Sequence, residues 1–162
     1  MTRKIAALSC LLVLGACTST PEPPSPAPAT SATRPNGIGC DKAPADVVGP
    51  ALSLNLAHTR ETIEGTAVLC SYEGGGSTTS VRIETASGPE AFARTKLDYE
   101  DKGQDPEPVA GIGDEAYRAT LGSGEVVQHT VVGRKGKTEI QVTSAASVES
   151  ASRLLVRLLE GF

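Results

Sequence analysis

Apolar and polar residues alternate with a period of two through much of the chain beyond position 53, the pattern of strands with one buried face. Ser53 to Arg60 reads as a first strand, with Leu54 and Leu56 on one side. Thr66 to Tyr72 sets Val68, Cys70 and Tyr72 against Ala67 and Leu69. Gly74-Gly75-Gly76 then supplies a turn, and Thr79 to Thr85 returns with Val81 and Ile83 inward and Arg82 and Glu84 outward, a hairpin signal. Ala116 to Thr120 and Glu125 to Val132 read as further strands. Gly133-Arg134-Lys135-Gly136 predicts a turn into Lys137–Thr143, with Ile140 and Val142 inward.

Helical spacing appears in three places. Asp41 to Leu52 predicts a short helix with Val47, Val48 and Ala51 on its apolar side. Ser87-Gly88-Pro89-Glu90 opens a second, with proline at its first position and Phe92, Ala93, Lys96 and Tyr99 sharing a face. A third starts near Ser147, where Ala151, Leu154, Leu155, Leu158 and Phe162 recur at three- and four-residue intervals. The order is α-β-β-β-α-β-β-β-α. Consecutive strands between single helices imply an α+β fold, with an antiparallel sheet of five to six strands and three helices packed mainly on one face.

The first sixteen residues follow a different logic. Arg3 and Lys4 precede an apolar run from Ile5 to Leu14, which ends in Leu14-Gly15-Ala16-Cys17. These ten residues, interrupted only by Ser9, are too few to span a bilayer, which needs roughly 20. A positive start, a short apolar run and small residues at the cut describe a cleaved signal peptide over 1–16. The cysteine sits where a lipobox requires it, so Cys17 is the expected lipidation site and new N-terminus. Two acyl chains, at about 0.8 kcal/mol per buried methylene, would anchor the protein stably. The expected location is the extracytoplasmic face of the cell membrane.

From Cys17 to residue 36 the chain is mostly Pro, Ser, Thr and Ala, and six of its eleven prolines fall here. Such a segment cannot bury enough apolar area to offset ordering and favours polyproline II. It reads as a tether whose eighteen residues from Thr18 to Pro35, at about 3.1 Å each, reach up to roughly 55 Å. Residues 37–162 then form one extracytoplasmic domain.

Composition narrows what that domain does. Without Arg3 and Lys4, 13 basic residues face 19 acidic ones, a net charge of −6, which disfavours nucleic acid as a partner. The chain has no tryptophan and only five other aromatic residues, too few for a stacking platform. Arg134, Lys135 and Lys137 form the one tight basic group, expected as a solvated hairpin tip. Two cysteines remain, Cys40 and Cys70, with no neighbouring histidine and no C-x-x-C spacing. In an exported domain such a pair is expected as a structural disulfide rather than a metal pair or reactive thiol.

The lipobox at Cys17, the proline-rich spacer, Cys40 just before a helix, Cys70-Ser71-Tyr72 and Val109-Ala110-Gly111-Ile112-Gly113-Asp114-Glu115-Ala116-Tyr117 together resemble a large family of small actinobacterial lipoproteins of unknown function. The resemblance covers about residues 37–162. It implies a compact α+β domain in the cell envelope and brings no catalytic residues.

Catalytic and cofactor motifs find poor support. Gly111-Ile112-Gly113-Asp114-Glu115-Ala116 matches G-x-G-x-x-A, but a strand follows where a helix should, so it reads as a glycine turn. The acidic stretch 98–115 resembles a calcium loop only loosely: Lys102 stands where an oxygen ligand belongs, and Val109 replaces the final glutamate. It is expected as an exposed acidic loop. His58 and His129 are the only histidines, and His129 is expected half-buried on a strand with a backbone partner. No serine lies in a G-x-S-x-G elbow, and H-E-x-x-H is missing. The sequence therefore names no catalytic residue, cofactor or metal ligand. It supports an envelope module that binds an apolar, peptide or protein ligand. An envelope hydrolase or transferase with a spatially assembled site, and an accessory or sensory subunit, are the alternatives.

Overall fold

A computed structural model describes residues 33–74, 78–122 and 127–162. The signal segment, Cys17, most of the tether, the Gly75-Gly76 turn and Glu125 lie outside the described residues. The fold is α+β, with one open antiparallel sheet. Helix α1 (Ala45–Leu52) leads to strands β1 (Leu56–Glu64), β2 (Ala67–Gly74) and β3 (Thr79–Glu84). Helix α2 (Pro89–Asp101) is followed by β4 (Glu107–Pro108), β5 (Glu115–Leu121), β6 (Gln128–Lys135) and β7 (Thr138–Ser144), and α3 (Val148–Glu160) closes the chain. The spatial order is β1-β2-β3-β7-β6-β5-β4. The sheet has seven strands, not five or six. The extra one is β4, whose Pro106 and Pro108 hide any strand signal and confine it to an edge.

Two hairpins share one solution. Glu64 pairs with Ala67 and Lys135 with Thr138, leaving two-residue loops that begin with Gly65 (φ 63°) and Gly136 (φ 61°). Positive φ at that position matches the strand twist. The expected turn at Gly133–Gly136 is thus shorter. Gly133 lies inside β6, where a Cβ would press on Ile112 and Leu155. The first strand also starts later than Ser53. That residue closes α1 in the left-handed region (φ 58°), and the Leu54 amide still donates to Gly49.

One face of the sheet carries the main core. Val68, Cys70 and Tyr72 of β2, Val81 and Ile83 of β3, Ile140 and Val142 of β7 and Val131 of β6 lie under α1 and α3. Helix α3 turns Ala151, Leu154, Leu155, Leu158 and Leu159 inward. Its N-cap Ser147 accepts from the Ser150 amide at 3.2 Å, satisfying an otherwise orphan donor. Phe162 lies beyond the helix and stays exposed, so Leu159 takes the place expected for it. The Cys40–Cys70 disulfide is formed, tying the segment before α1 to β2. Nearby, the buried Tyr72 hydroxyl donates to the Ala43 carbonyl.

The helices do not share that face. Helix α2 packs on the opposite one, where Phe92, Tyr117 and Val132 form a second apolar cluster with Tyr99 against it. Tyr117 follows Ala116, and Val132 follows Val131, so β5 and β6 are buried on both sides.

Candidate functional site

The second face reads as three rows of neighbours across the sheet. Arg60, Ser71, Ser80, Thr143, Thr130 and Ala119 make one; Leu69, Arg82, Gln141, Val132 and Tyr117 make the next; Glu84, Glu139, Arg134 and Glu115 make the third. Helix α2 covers the β5–β6 side of these rows. Its hold is slight: Phe92 is its one buried residue, edge-on to Tyr117 at 5.2 Å, and Tyr99 meets the same ring at 5.6 Å.

Between the C-terminal half of α2 and the sheet lies a cleft of about 400 Å³. The sheet contributes Arg82 and Gln141, and the helix end contributes Thr95, Asp98, Tyr99 and Lys102. Gln104 and Leu121 complete its lining. Two cations, one carboxylate, two amides and a phenol therefore converge on a space large enough for a small ligand. The groups are braced from behind. Gln141 Nε2 donates to Thr143 Oγ1 at 3.2 Å, and Thr143 shares a 3.0 Å hydrogen bond with Thr130. Burial raises the Tyr99 hydroxyl pKa, and the nearby Thr130 hydroxyl opposes this.

A carboxyl group sits deeper under α2. Glu139 is 2 % exposed, and its Oε2 accepts from Ser87 Oγ at 2.6 Å. Burial pushes its pKa above the ordinary value; the Ser87 hydrogen bond and the Arg82 charge pull the other way. Glu139 Oε1 and the Tyr117 hydroxyl are buried and have no hydrogen-bond partner among the described residues. Burial also raises the Tyr117 pKa, and the neighbouring Tyr99 and Glu139 raise it further. Ser87 and Glu139 resemble a nucleophile and its base, but both are sealed, and neither lines the cleft.

Two other hollows lie on the surface. One of about 500 Å³ includes His129, Arg118, Glu107 and Thr120, and one of about 600 Å³ includes Arg60, Thr62, Ser71 and Glu73. Each borders a segment outside the described residues, 123–126 and 75–77 respectively.

The residues singled out from sequence scatter. His58 lies on the edge strand β1 and His129 on β6, four strands away, about 19 Å by strand spacing alone. The expected backbone partner of His129 is not found: its buried Nδ1 has no partner among the described residues. The acidic stretch is not one exposed loop. Asp98, Glu100 and Asp101 belong to α2, Glu107 pairs with Arg118 at 2.9 Å, and Asp114 and Glu115 hold Arg134. Among the described residues no three His, Cys, Asp or Glu side chains converge as a metal site. The glycine motif is a turn into β5, with φ of 82° at Gly111 and 56° at Gly113.

The basic hairpin tip is corrected as well. Arg134 is buried, with Nε 2.8 Å from Glu115 and Nη1 3.2 Å from Asp114. Sequence reasoning placed Arg82 on an outward strand face and Tyr99 on a helix face, but it had no means of bringing them together. Comparison of the chain with protein-family models, curated proteins and solved structures found no match.

Proposed function

We propose that this protein is a lipid-anchored extracytoplasmic lipoprotein of the small actinobacterial type. In this reading Cys17 is its membrane anchor and residues 17–36 its tether, and its domain binds a short peptide or similar zwitterion. The α2 cleft carries the reading. Arg82 and Lys102 suit a carboxylate and Asp98 an ammonium group, while Gln141, Gln104 and Tyr99 suit the amides between them. Binding is favoured over catalysis because the carboxyl group with the raised pKa, Glu139, is closed off behind Ser87. The polar lining also favours a peptide over an apolar ligand.

The two parts have separate tests. Metabolic labelling with a fatty-acid analogue should mark the wild type and not Cys17→Ala; equal labelling of both sinks the anchor. For the cleft, a library of di- and tripeptides is screened by thermal shift. Binders should raise the melting temperature of the wild type and lose that effect in Arg82→Ala and Tyr99→Phe. A library in which nothing binds, or binding that ignores both substitutions, removes this site.

A further inference from the structure

The sheet ends in β1 on one side and in the two-residue β4 on the other. Pro108 has no N–H to offer a further strand. Strand β1 is different: nine residues long, free of proline, and unpaired on its outer side among the described residues. A register shift between Leu56 and His58 disturbs its start, after which His58–Glu64 run in continuous register with β2. An edge of this length is a template for strand addition.

The side chains on the edge select the added strand. Arg60, Thr62 and Glu64 share the face opposite the main core, and all three are exposed. Opposite charges thus flank Thr62 at equal distances. An antiparallel copy of the same strand, centred on Thr62, sets Arg60 of each copy against Glu64 of the other and the two threonines against each other. Opposite-charge and Thr–Thr cross-strand pairs are both favourable. Centring on Arg60 or on Glu61 instead places like charges together. Arg60 is free to make the exchange, because its present partner Glu73 is 3.8 Å away and both side chains are well exposed. The two-fold axis stands perpendicular to the sheet, so the faces under α1 and α3 of the two copies fall on the same side.

We propose that β1 pairs antiparallel with β1 of a second copy about Thr62, joining two seven-stranded sheets into one. The full chain is tested by sedimentation equilibrium and by oxidative cross-linking. Thr62→Cys should form a disulfide-linked dimer. Thr59→Cys, whose copies stand about 20 Å apart in this register, should cross-link no more than the wild type. Arg60→Glu alone should weaken the dimer about tenfold, through two lost attractions and two new repulsions. Adding Glu64→Arg should restore it. A chain that stays monomeric at every concentration overturns the proposal. So does a dimer indifferent to Arg60→Glu alone, or a monomer that takes up an unrelated extended peptide along β1.

Discussion

Gly113 and Gly111 both have positive φ, yet they should respond differently to alanine. At Gly111 (φ 82°) a Cβ would meet nothing within 4 Å. Alanine there carries only the left-handed penalty of about 1–2 kcal/mol, offset by about 0.4–1 kcal/mol from a less flexible unfolded chain. The net loss is about 0.5–1 kcal/mol. At Gly113 (φ 56°) the same penalty applies, and the Cβ would overlap the Arg134 carbonyl of β6. That carbonyl accepts from the Asp114 amide at 2.7 Å, so relieving the overlap pulls this hydrogen bond apart, for about 1 kcal/mol. It also draws Asp114 and Glu115 off the buried Arg134 guanidinium, which raises the total to about 3 kcal/mol.

At about 4 °C per kcal/mol, Gly113→Ala should melt about 12 °C lower and Gly111→Ala about 2–4 °C lower. Far-UV circular dichroism is the suitable probe, since the chain has no tryptophan. Peptide binding in the cold, where both variants remain folded, should be unchanged. Equal melting of the two variants would refute the reasoning, because only close approach to the Arg134 carbonyl separates them. Unchanged melting with lost binding would move Asp114 and Glu115 into the functional site.

The Cys40–Cys70 bond closes a 30-residue separation, so replacing both with alanine should lower stability by about 3.5 kcal/mol in denaturant unfolding; alkylation of both thiols in the unreduced native protein would reject the bond. Glu139 makes a pH prediction. Because its folded pKa is raised, its contribution is fully present below the unfolded value and is lost as pH rises through the folded one. Glu139→Gln should therefore gain stability relative to wild type as pH rises above about 4.5, and a difference constant with pH would contradict this. Arg134→Lys should destabilise by about 1–3 kcal/mol despite keeping the charge. Lysine cannot reach Asp114, Glu115 and the Gly136 carbonyl from one planar group. A near-neutral substitution would show that the ion cluster contributes little.

Strands with one buried face were legible because a period of two has a single interpretation once polar residues occupy the alternate positions. Val81 and Ile83 against Arg82 and Glu84 is the clearest case, and α3 was equally plain at helical spacing. The side taken by α2 was not read, although a signal was present. Ala116-Tyr117 and Val131-Val132 are consecutive apolar pairs, the mark of strands covered on both faces. Arg134 left no such mark. Its burial depends on Asp114 and Glu115, some twenty residues earlier, and on a glycine turn that brings them across. The cleft was hidden for the same reason: Arg82, Tyr99 and Gln141 come from three elements, and each alone reads as an ordinary surface residue.

The two sheet faces divide the work. The face under α1 and α3 is closed, apolar and tied by a disulfide, so it holds the fold. The other is polar at most positions, and its cover α2 is fastened chiefly by one phenylalanine and one tyrosine on Tyr117. A helix held this lightly opens at lower free energy than the core beneath it, which on the proposed reading gives a peptide access to Arg82 and Gln141 without disturbing α3. On that reading stability and recognition rest on opposite faces of the sheet. Substitutions at Thr95, Asp98 or Lys102 should thus alter what binds while leaving the domain folded.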